Sequence, residues 1–341
     1  MRRLRPLRNL LLAAIAVATL AALTASGAVR ADAQGTKPFT LTVLTYNVND
    51  LPWPLRKNSE PQLAYIGKDL ARRRAAGNGP DVVFLQEAFT SRSRKLIEAA
   101  GYPYVFKGPG RRSTSGKGVG AKETEPIRMR TEQTGANTNK FVNSGLYVLS
   151  RYPIVARNSE LFGSDCSGND CLANKSVIHV RIALPEPYTP FDLVTSHMDS
   201  NIRSEAPEEK RLQAHHAQTD KLVAFVDKTV RPRSAILAGD LNIKVAPRYA
   251  YFSEHLGGIN AGELCFNTAK SCTLGPNATE KSLWKKTNDH QFIIEGDNYK
   301  ITPLRMMRNY DEKPQGRELS DHLGFEATYS LTPISASRGG K

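Results

Sequence analysis

No two of the four cysteines are spaced as Cys-x-x-Cys, and no histidine stands at zinc-finger distance from any of them, which argues against a structural zinc site. Only one long apolar run is present, Leu10 to Leu23, and nothing beyond it could cross a membrane. A phosphate-cradling loop is also missing. The stretch Gly110 to Gly118 comes nearest, but the spacing before Gly116-Lys117 is wrong and Gly118 stands where a Ser or Thr is required, which excludes an ATP site of that type. Residues 107–140 around it are rich in Gly, Ser, Thr, Lys and Arg and read as a long mobile loop. Acidic residues are scarce as well: 33 Asp and Glu face 47 Lys and Arg, a formal charge of +14. Such a balance favours anionic partners, phosphate-bearing polymers or membrane surfaces, without selecting a substrate. Arg72 to Arg74 and Arg111 to Lys122 carry part of it and read as solvated faces or loops.

What is present fits a globular chain. The sequence has 341 residues, 40% hydrophobic and 23% charged, ample for a buried core, with no internal repeat and no second domain boundary. At the N-terminus Arg2, Arg3, Arg5 and Arg8 precede the apolar run, and small residues follow to Ala33. That is the order of a secretory signal peptide over residues 1–33, with Ala31 to Ala33 as a cleavage pattern, and the run is shorter than the roughly 20 residues a spanning anchor needs. The expectation is an exported protein, secreted or periplasmic, that keeps a charge of about +10 beyond residue 33. Four cysteines in an exported chain suggest two disulfides. Three pairings are formally open; Cys166 with Cys171 and Cys265 with Cys272 are preferred, because each pair brackets a Gly-, Asp- or Asn-rich turn.

The stretch Ser234 to Asn242 organises the reading. Ala235 to Ala238 is a short buried strand, Gly239 permits a close approach, and Asp240 and Asn242 project to one side if the period-two alternation continues. Ending a strand in Gly, Asp and Asn is ordinary turn chemistry. Four more apolar runs, however, end in chemistry: Leu41 to Thr45 before Asn47, Asp81 to Leu85 before Glu87, Phe191 to Thr195 before His197, and the last strand, Leu323 to Leu331, after Asp321-His322. Asp289 opens a further strand through Ile294. Helices are expected from Gln62 to Ala75, from Ser91 to Ala100, and from Glu208 to Thr229 with Leu212, His216, Thr219, Val223 and Val226 on one face. His215 and His216 are helix positions and His179 an ordinary sheet-surface histidine, all non-catalytic. Residues 34–39 read as a linker, those between Asn242 and Trp284 as loop-rich, and those from Thr332 on as a disordered tail.

Asn47, Glu87, His197, Asp240, Asn242, Asp289, Asp321 and His322 form a constellation suited to metal-assisted phosphoryl chemistry. A hard cation such as magnesium takes oxygen ligands, so Glu87 with the amide oxygen of Asn47 makes a fitting partial shell. In order along the chain, Thr45-Tyr46-Asn47-Val48, Gln86-Glu87, Ser196-His197, Gly239-Asp240-Leu241-Asn242 and Ser320-Asp321-His322 resemble the endonuclease/exonuclease/phosphatase superfamily, over about Leu41 to Tyr329. Asp170-Cys171-Leu172-Ala173-Asn174-Lys175, His197-Met198-Asp199-Ser200 and Asn288-Asp289-His290 are most similar to its secreted bacterial sphingomyelinase C branch. Asn309 to Leu319 departs from that branch, because haemolytic members carry an aromatic-tipped membrane hairpin there and this segment is polar.

The resemblance implies a four-layer α/β/β/α sandwich of two mixed, mostly antiparallel sheets flanked by helices, spanning residues 40–331. It implies a monomeric enzyme that uses magnesium, or alternatively manganese or cobalt, held by Glu87 and Asn47. His322, oriented by Asp289, would take a proton from the attacking water, as an imidazole of pKa about 6.5 can. Asp240 and Asn242 would position the water and the phosphoryl group, His197 would donate to phosphate oxygens, and Asp321 would support the metal side. Hydrolysis of sphingomyelin at a phospholipid membrane surface, giving ceramide and phosphocholine, is the first expectation. A secreted deoxyribonuclease acting on DNA, a phosphomonoesterase acting on inositol lipids, and a catalytically silent binding module on an enzyme fold are the alternatives.

Overall fold

A computed structural model of the protein describes residues 37–113, 140–268 and 270–334. The expected signal segment, residues 114–139 of the expected mobile loop and the tail beyond Ile334 lie outside the described residues. The strands, in chain order, are β1 (Phe39–Asp50), β2 (Val82–Ala88), β3 (Tyr104–Lys107), β4 (Tyr147–Ser150), β5 (Ile154–Leu161), β6 (Ser176–Ile182), β7 (Phe191–His197), β8 (Ala235–Asp240), β9 (Ile259–Asn260), β10 (Thr273–Leu274), β11 (Asp289–Ile294), β12 (Tyr299–Asn309) and β13 (Gly324–Pro333). The helices are α1 (Glu60–Ala75), α2 (Ser91–Ala100), α3 (Glu208–Thr229), α4 (Ala246–Leu256) and α5 (Ala261–Asn267).

Two sheets form, in the orders β10-β12-β13-β1-β2-β4-β3 and β5-β6-β7-β8-β11-β9. Pairing is antiparallel except at β1–β2, β7–β8 and β10–β12. Side-chain parity then sorts the core into layers. On β1, Leu41 and Val43 face the other sheet while Leu44, Tyr46 and Val48 face α1 and α2. On β8, Ile236 and Ala238 point between the sheets, and Ala235 and Leu237 point toward α3 and α4. Strands β1 and β8 are apolar on both sides in their middles because each side is covered, which is why such runs read as nearly continuous in sequence. Burying one such Leu, Ile or Phe stabilises by about 1.5–3 kcal/mol. The structure therefore has the expected four layers.

Several local expectations need correction. The buried stripe of α3 is Ala214, His215, Gln218, Thr219, Leu222, Phe225 and Val226, so it lies about one residue away from the expected face. His216 is displaced from the core and stacks on Tyr251 of α4 instead. That helix falls in the stretch expected to be loop-rich; Pro247 in its first turn and Gly257 in the left-handed conformation at its end are its start and stop signals. β13 runs through Pro333, so the tail begins later than Thr332. His179 is buried rather than on a wet sheet surface, with Nε2 2.7 Å from Asp192, which also binds Arg181 and Arg233. Strand β12, with Pro303 and three Lys or Arg side chains, gives no clear alternation. Both cysteine pairs form the sequence-local disulfides, Cys166–Cys171 and Cys265–Cys272.

Gly239 shows how tightly β7 and β8 approach. It pairs with Ser196, and a Cβ added there would sit 2.2 Å from the Ser196 carbonyl oxygen. Overpacking of that kind costs about 1–3 kcal/mol or more, because backbone rather than a flexible side chain must move. Gly239→Ala is expected to lower the melting temperature by several degrees in thermal unfolding. Gly77→Ala, where φ is +74° and nothing lies within 4 Å of the new Cβ, should cost only the about 1–2 kcal/mol of left-handed strain.

Candidate active site

Parity also places the polar strand tips. Asn47 continues the inward face of β1, His197 that of β7 after Leu193 and Thr195, Asp240 that of β8, and Asp289 that of β11 before Gln291 and Ile293. All four converge at one end of the interface between the sheets. Gln86 seals that interface just below them, donating to Thr45 Oγ1 at 3.0 Å on its own sheet and Thr195 Oγ1 at 3.4 Å on the other. Glu87 breaks the rule. Phe84 faces inward, so regular alternation would send Glu87 toward the helices; its φ of +53° turns it into the mouth instead. Asn49, at φ +48°, marks the matching irregularity on β1.

Asp240 and Asp289 stand directly opposite each other in the antiparallel β8–β11 ladder. Two buried carboxylates so placed repel unless their surroundings compensate. Asp289 receives His322 Nδ1 at 3.0 Å and Arg308 Nη2 at 3.3 Å. Burial pushes its pKa up, but the His322 and Arg308 charges outweigh that and hold it at about 2. Asp240 Oδ2 accepts from Asn47 Nδ2 at 2.9 Å and lies 3.5 Å from His197 Nε2 and 3.7 Å from His322 Nε2. Its pKa is raised, chiefly by burial, and so is that of Glu87, to about 7. His197 is lowered well below the usual imidazole range by burial, with the Lys175 and His322 charges adding to it. Lys175 Nζ reaches its Nε2 at 3.3 Å, the Met198 carbonyl at 2.8 Å and Asp170 at 2.7 Å.

Six of the eight expected residues therefore form one connected cluster. Asn242 does not project beside Asp240: the strand ends at Asp240, Asn242 adopts φ +54°, and its amide donates to the Met198 carbonyl at 2.9 Å. Asp321 stands at the rim with a side chain 44% exposed, accepting from Asn49 at 2.7 Å and lying 3.4 Å from Arg203. Asn47 presents its NH2 rather than its oxygen to the carboxylates, since Oδ1 accepts the Asn49 N–H at 2.9 Å. His322 departs furthest from a free imidazole. Burial alone would lower its pKa, but Asp289, Asp240 and Asp321 raise it well above 6.5, which favours the imidazolium form. Arg308 was not foreseen; nothing in the pattern of β12 marks it beyond its sharing the inward parity of Met306.

Glu87, His197 and Asp240 bring ligand atoms within 4.8 Å of one another, as do Asp240, Asp289 and His322. Two carboxylates with raised proton affinity facing one space, Glu87 and Asp240, are the charge arrangement that a divalent cation relieves. The donor set thus fits a hard metal. Beside His322 a cleft of about 290 Å³ opens, lined in part by Asp311, Glu312, Glu318 and Asp321.

This fold, with carboxylates and imidazoles at one end of the interface between its sheets, is of the two-sheet α/β sandwich class. Residues 44–292 match the model of the Endonuclease/Exonuclease/phosphatase family, and the chain belongs to that family. It is 23% identical over 219 residues to Sphingomyelinase C 2 of Leptospira interrogans, covering 61% of this chain and 31% of that protein. The chain spans about a third of the length of the curated relatives it matches. Among solved structures, beta toxin of Staphylococcus aureus with bound magnesium ions aligns at a TM-score of 0.62 and 19% identity, over 86% of this chain and 99% of that one. Sphingomyelinase C of Streptomyces griseocarneus aligns at 0.58 and 22%, over 85% and 99%.

The His322–Asp289 pair gives opposite pH signatures. Because the His322 pKa is raised on folding, its stabilising contribution is complete below about pH 6.5 and is lost as pH rises through the folded value. Asp289 is depressed, so its contribution is present above about pH 3.9 and is lost as pH falls toward about 2. In chelator-treated protein, imidazole NMR should show His322 protonated well above pH 6.5. Asp289→Asn should bring its midpoint down; an unchanged midpoint would contradict this electrostatic account.

Proposed function

We propose that the protein is an exported, divalent-metal-dependent phosphodiesterase that hydrolyses sphingomyelin, or a closely related choline phospholipid, to ceramide and phosphocholine. The acid-lined cleft beside His322 carries this reading. Asp311, Glu312, Glu318 and Asp321 line it with Lys313 as the opposing charge. A quaternary ammonium is attracted there, whereas the polyanionic backbone of DNA is repelled, in spite of the chain's overall basic balance. The sphingomyelinases among its relatives support the same substrate class. Two disulfides and the N-terminal arginine–apolar order support export.

The chemistry follows from the residues. Glu87 and Asn47 would hold the cation, Asn47 by turning its amide oxygen, with magnesium the natural choice for an oxygen-rich shell and manganese or cobalt as substitutes. Bound there, the cation supplies positive charge for the phosphoryl oxygens and offsets the carboxylate field that keeps His322 protonated. Asp289 fixes His322 through Nδ1 and leaves Nε2, 3.7 Å from Asp240, as the working nitrogen. His322 Nε2 then takes the proton of the water that attacks phosphorus in line, and Asp240 orients that water. Lys175 Nζ lies 3.3 Å from His197 Nε2, and with its proton carried on Nε2 a neutral His197 would donate to the non-bridging oxygens, which gain charge in the transition state and are further stabilised by the Lys175 charge. Asn242 acts one step back, holding the Met198 carbonyl that also receives Lys175. Asp321 keeps Asn49 and the rim in place on the metal side.

Removing the proton carrier should cost about 10²–10⁴ in rate, the range of general acid–base catalysis. His322→Ala and Asp289→Asn are expected to lose that much phosphocholine release while retaining cooperative unfolding, and chelator should abolish turnover by the parent. Plasmid nicking by the parent without release of phosphocholine would instead establish the deoxyribonuclease alternative.

A further inference from the structure

Among the described residues, four large apolar side chains are far more exposed than any other: Trp53 at 76%, Ile202 at 72%, Leu55 at 71% and Phe141 at 70%, with the next at 45%. Single exposed apolar residues are unremarkable, but these are not scattered. Trp53 and Leu55 follow the end of β1, and Ile202 follows the end of β7. Phe141 precedes β4, whose start lies beside the end of β2, where Ala88 N–H donates to the Gly145 carbonyl at 2.9 Å. All therefore emerge at the end of the sandwich that carries Asn47, Glu87 and His197.

Their loops are tied to the site itself. Arg56 anchors the Trp53–Leu55 loop, donating to the Val48 carbonyl at 3.1 Å and to the Leu319 carbonyl at 3.0 Å, one residue before Ser320-Asp321-His322. Asp321 joins that side to the Ile202 loop, through Asn49 at 2.7 Å and Arg203 at 3.4 Å. The Phe141 N–H donates to the Leu172 carbonyl at 2.7 Å, on the loop that leads to Lys175. The apolar tips thus stand around one mouth, and next to Ile202 the Arg203 side chain is 83% exposed. Apolar tips, a tryptophan and an exposed arginine around an opening are the composition of a surface that sits in lipid headgroups. The connection from β12 to β13 supplies no such tip, since its Lys313 and Glu318 pair at 2.9 Å on an exposed turn.

We infer that this rim docks on a choline-phospholipid bilayer, with Trp53, Leu55, Ile202 and Phe141 entering the headgroup layer and setting the mouth between the sheets against the lipid surface. The inference rests on reading the site as a phospholipid diesterase, but adsorption can be measured without turnover. Trp53 is a local reporter, because the only other tryptophan, Trp284, is 7% exposed. The full chain would be mixed, with chelator present, with sphingomyelin–phosphatidylcholine vesicles whose acyl chains carry bromine. Trp53 emission should shift to the blue and be quenched, and the double variant Leu55→Ser/Ile202→Ser should bind about tenfold or more weakly. The apolar run Leu10 to Leu23 is common to parent and variant, so the difference reports the rim alone. Unquenched Trp53, equal vesicle affinity in the variant, or a rim found buried between two copies in solution would overturn the proposal. Turnover of a soluble phosphocholine diester by the parent tests the reaction separately: quenching without that turnover would sustain the docking surface and remove the diesterase reading.

Discussion

Asp240 and Asp289 face each other across the β8–β11 ladder of one sheet, at the mouth of the interface with the other, and the rest of the site is built to make that placement tolerable. Neither carboxylate could remain charged there in isolation. Asp289 is compensated twice, by His322 and by Arg308, whose guanidinium also lies 5.2 Å over the Phe325 ring. Asp240 accepts only from neutral amides, the Asn47 side chain at 2.9 Å and the Asn242 N–H at 3.3 Å, among the described residues, and shares its space with Glu87. The asymmetry divides the labour: one carboxylate is committed to orienting a histidine, and the other keeps unspent negative potential toward the mouth. A divalent cation is the partner for which that potential is useful.

The sandwich provides the placement by simple means. Parallel pairs at β1–β2 and β7–β8 bring strand ends of the same sense together, one pair in each sheet. Residues on the inward faces run from an apolar middle, through the Thr45–Gln86–Thr195 bridge, to charged tips. Polarity rather than burial changes along these strands, so one element supplies both the stability and the chemistry. Behind the site the Cys166–Cys171 loop adds rigidity: Ser167 binds Asp199 through its N–H at 2.9 Å and its hydroxyl at 2.8 Å, and Asp170 holds Lys175. Arg248, 1% exposed, lies 3.7 Å from the same Asp199, so the second layer is itself an internally compensated set of charges.

Much of this was legible in the sequence, and the failures have physical causes. The tips Asn47, His197, Asp240 and Asp289 obey the period-two rule, so alternation alone predicts that they share a space. Glu87 and Asn242 do not obey it, because each adopts a left-handed backbone that periodicity cannot announce for a residue other than glycine. Arg308 was hidden for a different reason. A basic residue in a strand interrupted by Pro303 reads as exposed until a distant carboxylate, Asp289, is seen to be its partner. The same holds for the state of His322: its sequence neighbour Asp321 accounts for a small part of its proton affinity, and Asp289, 33 positions away, for more. The fold, set by burial pattern, is the more local property; the charge states are set by contacts that only the fold creates.

Calorimetric titration of the metal-free protein with magnesium, in two buffers of different ionisation enthalpy, tests the central claim most directly. If the mouth between the sheets is a cation site built on carboxylates of raised proton affinity, magnesium will bind with release of part of a proton near pH 7, where Glu87 is partly protonated. Glu87→Gln should abolish both the binding and the buffer dependence while leaving the unfolding transition intact. Magnesium binding of equal strength in Glu87→Gln, or binding without proton release, would contradict the account.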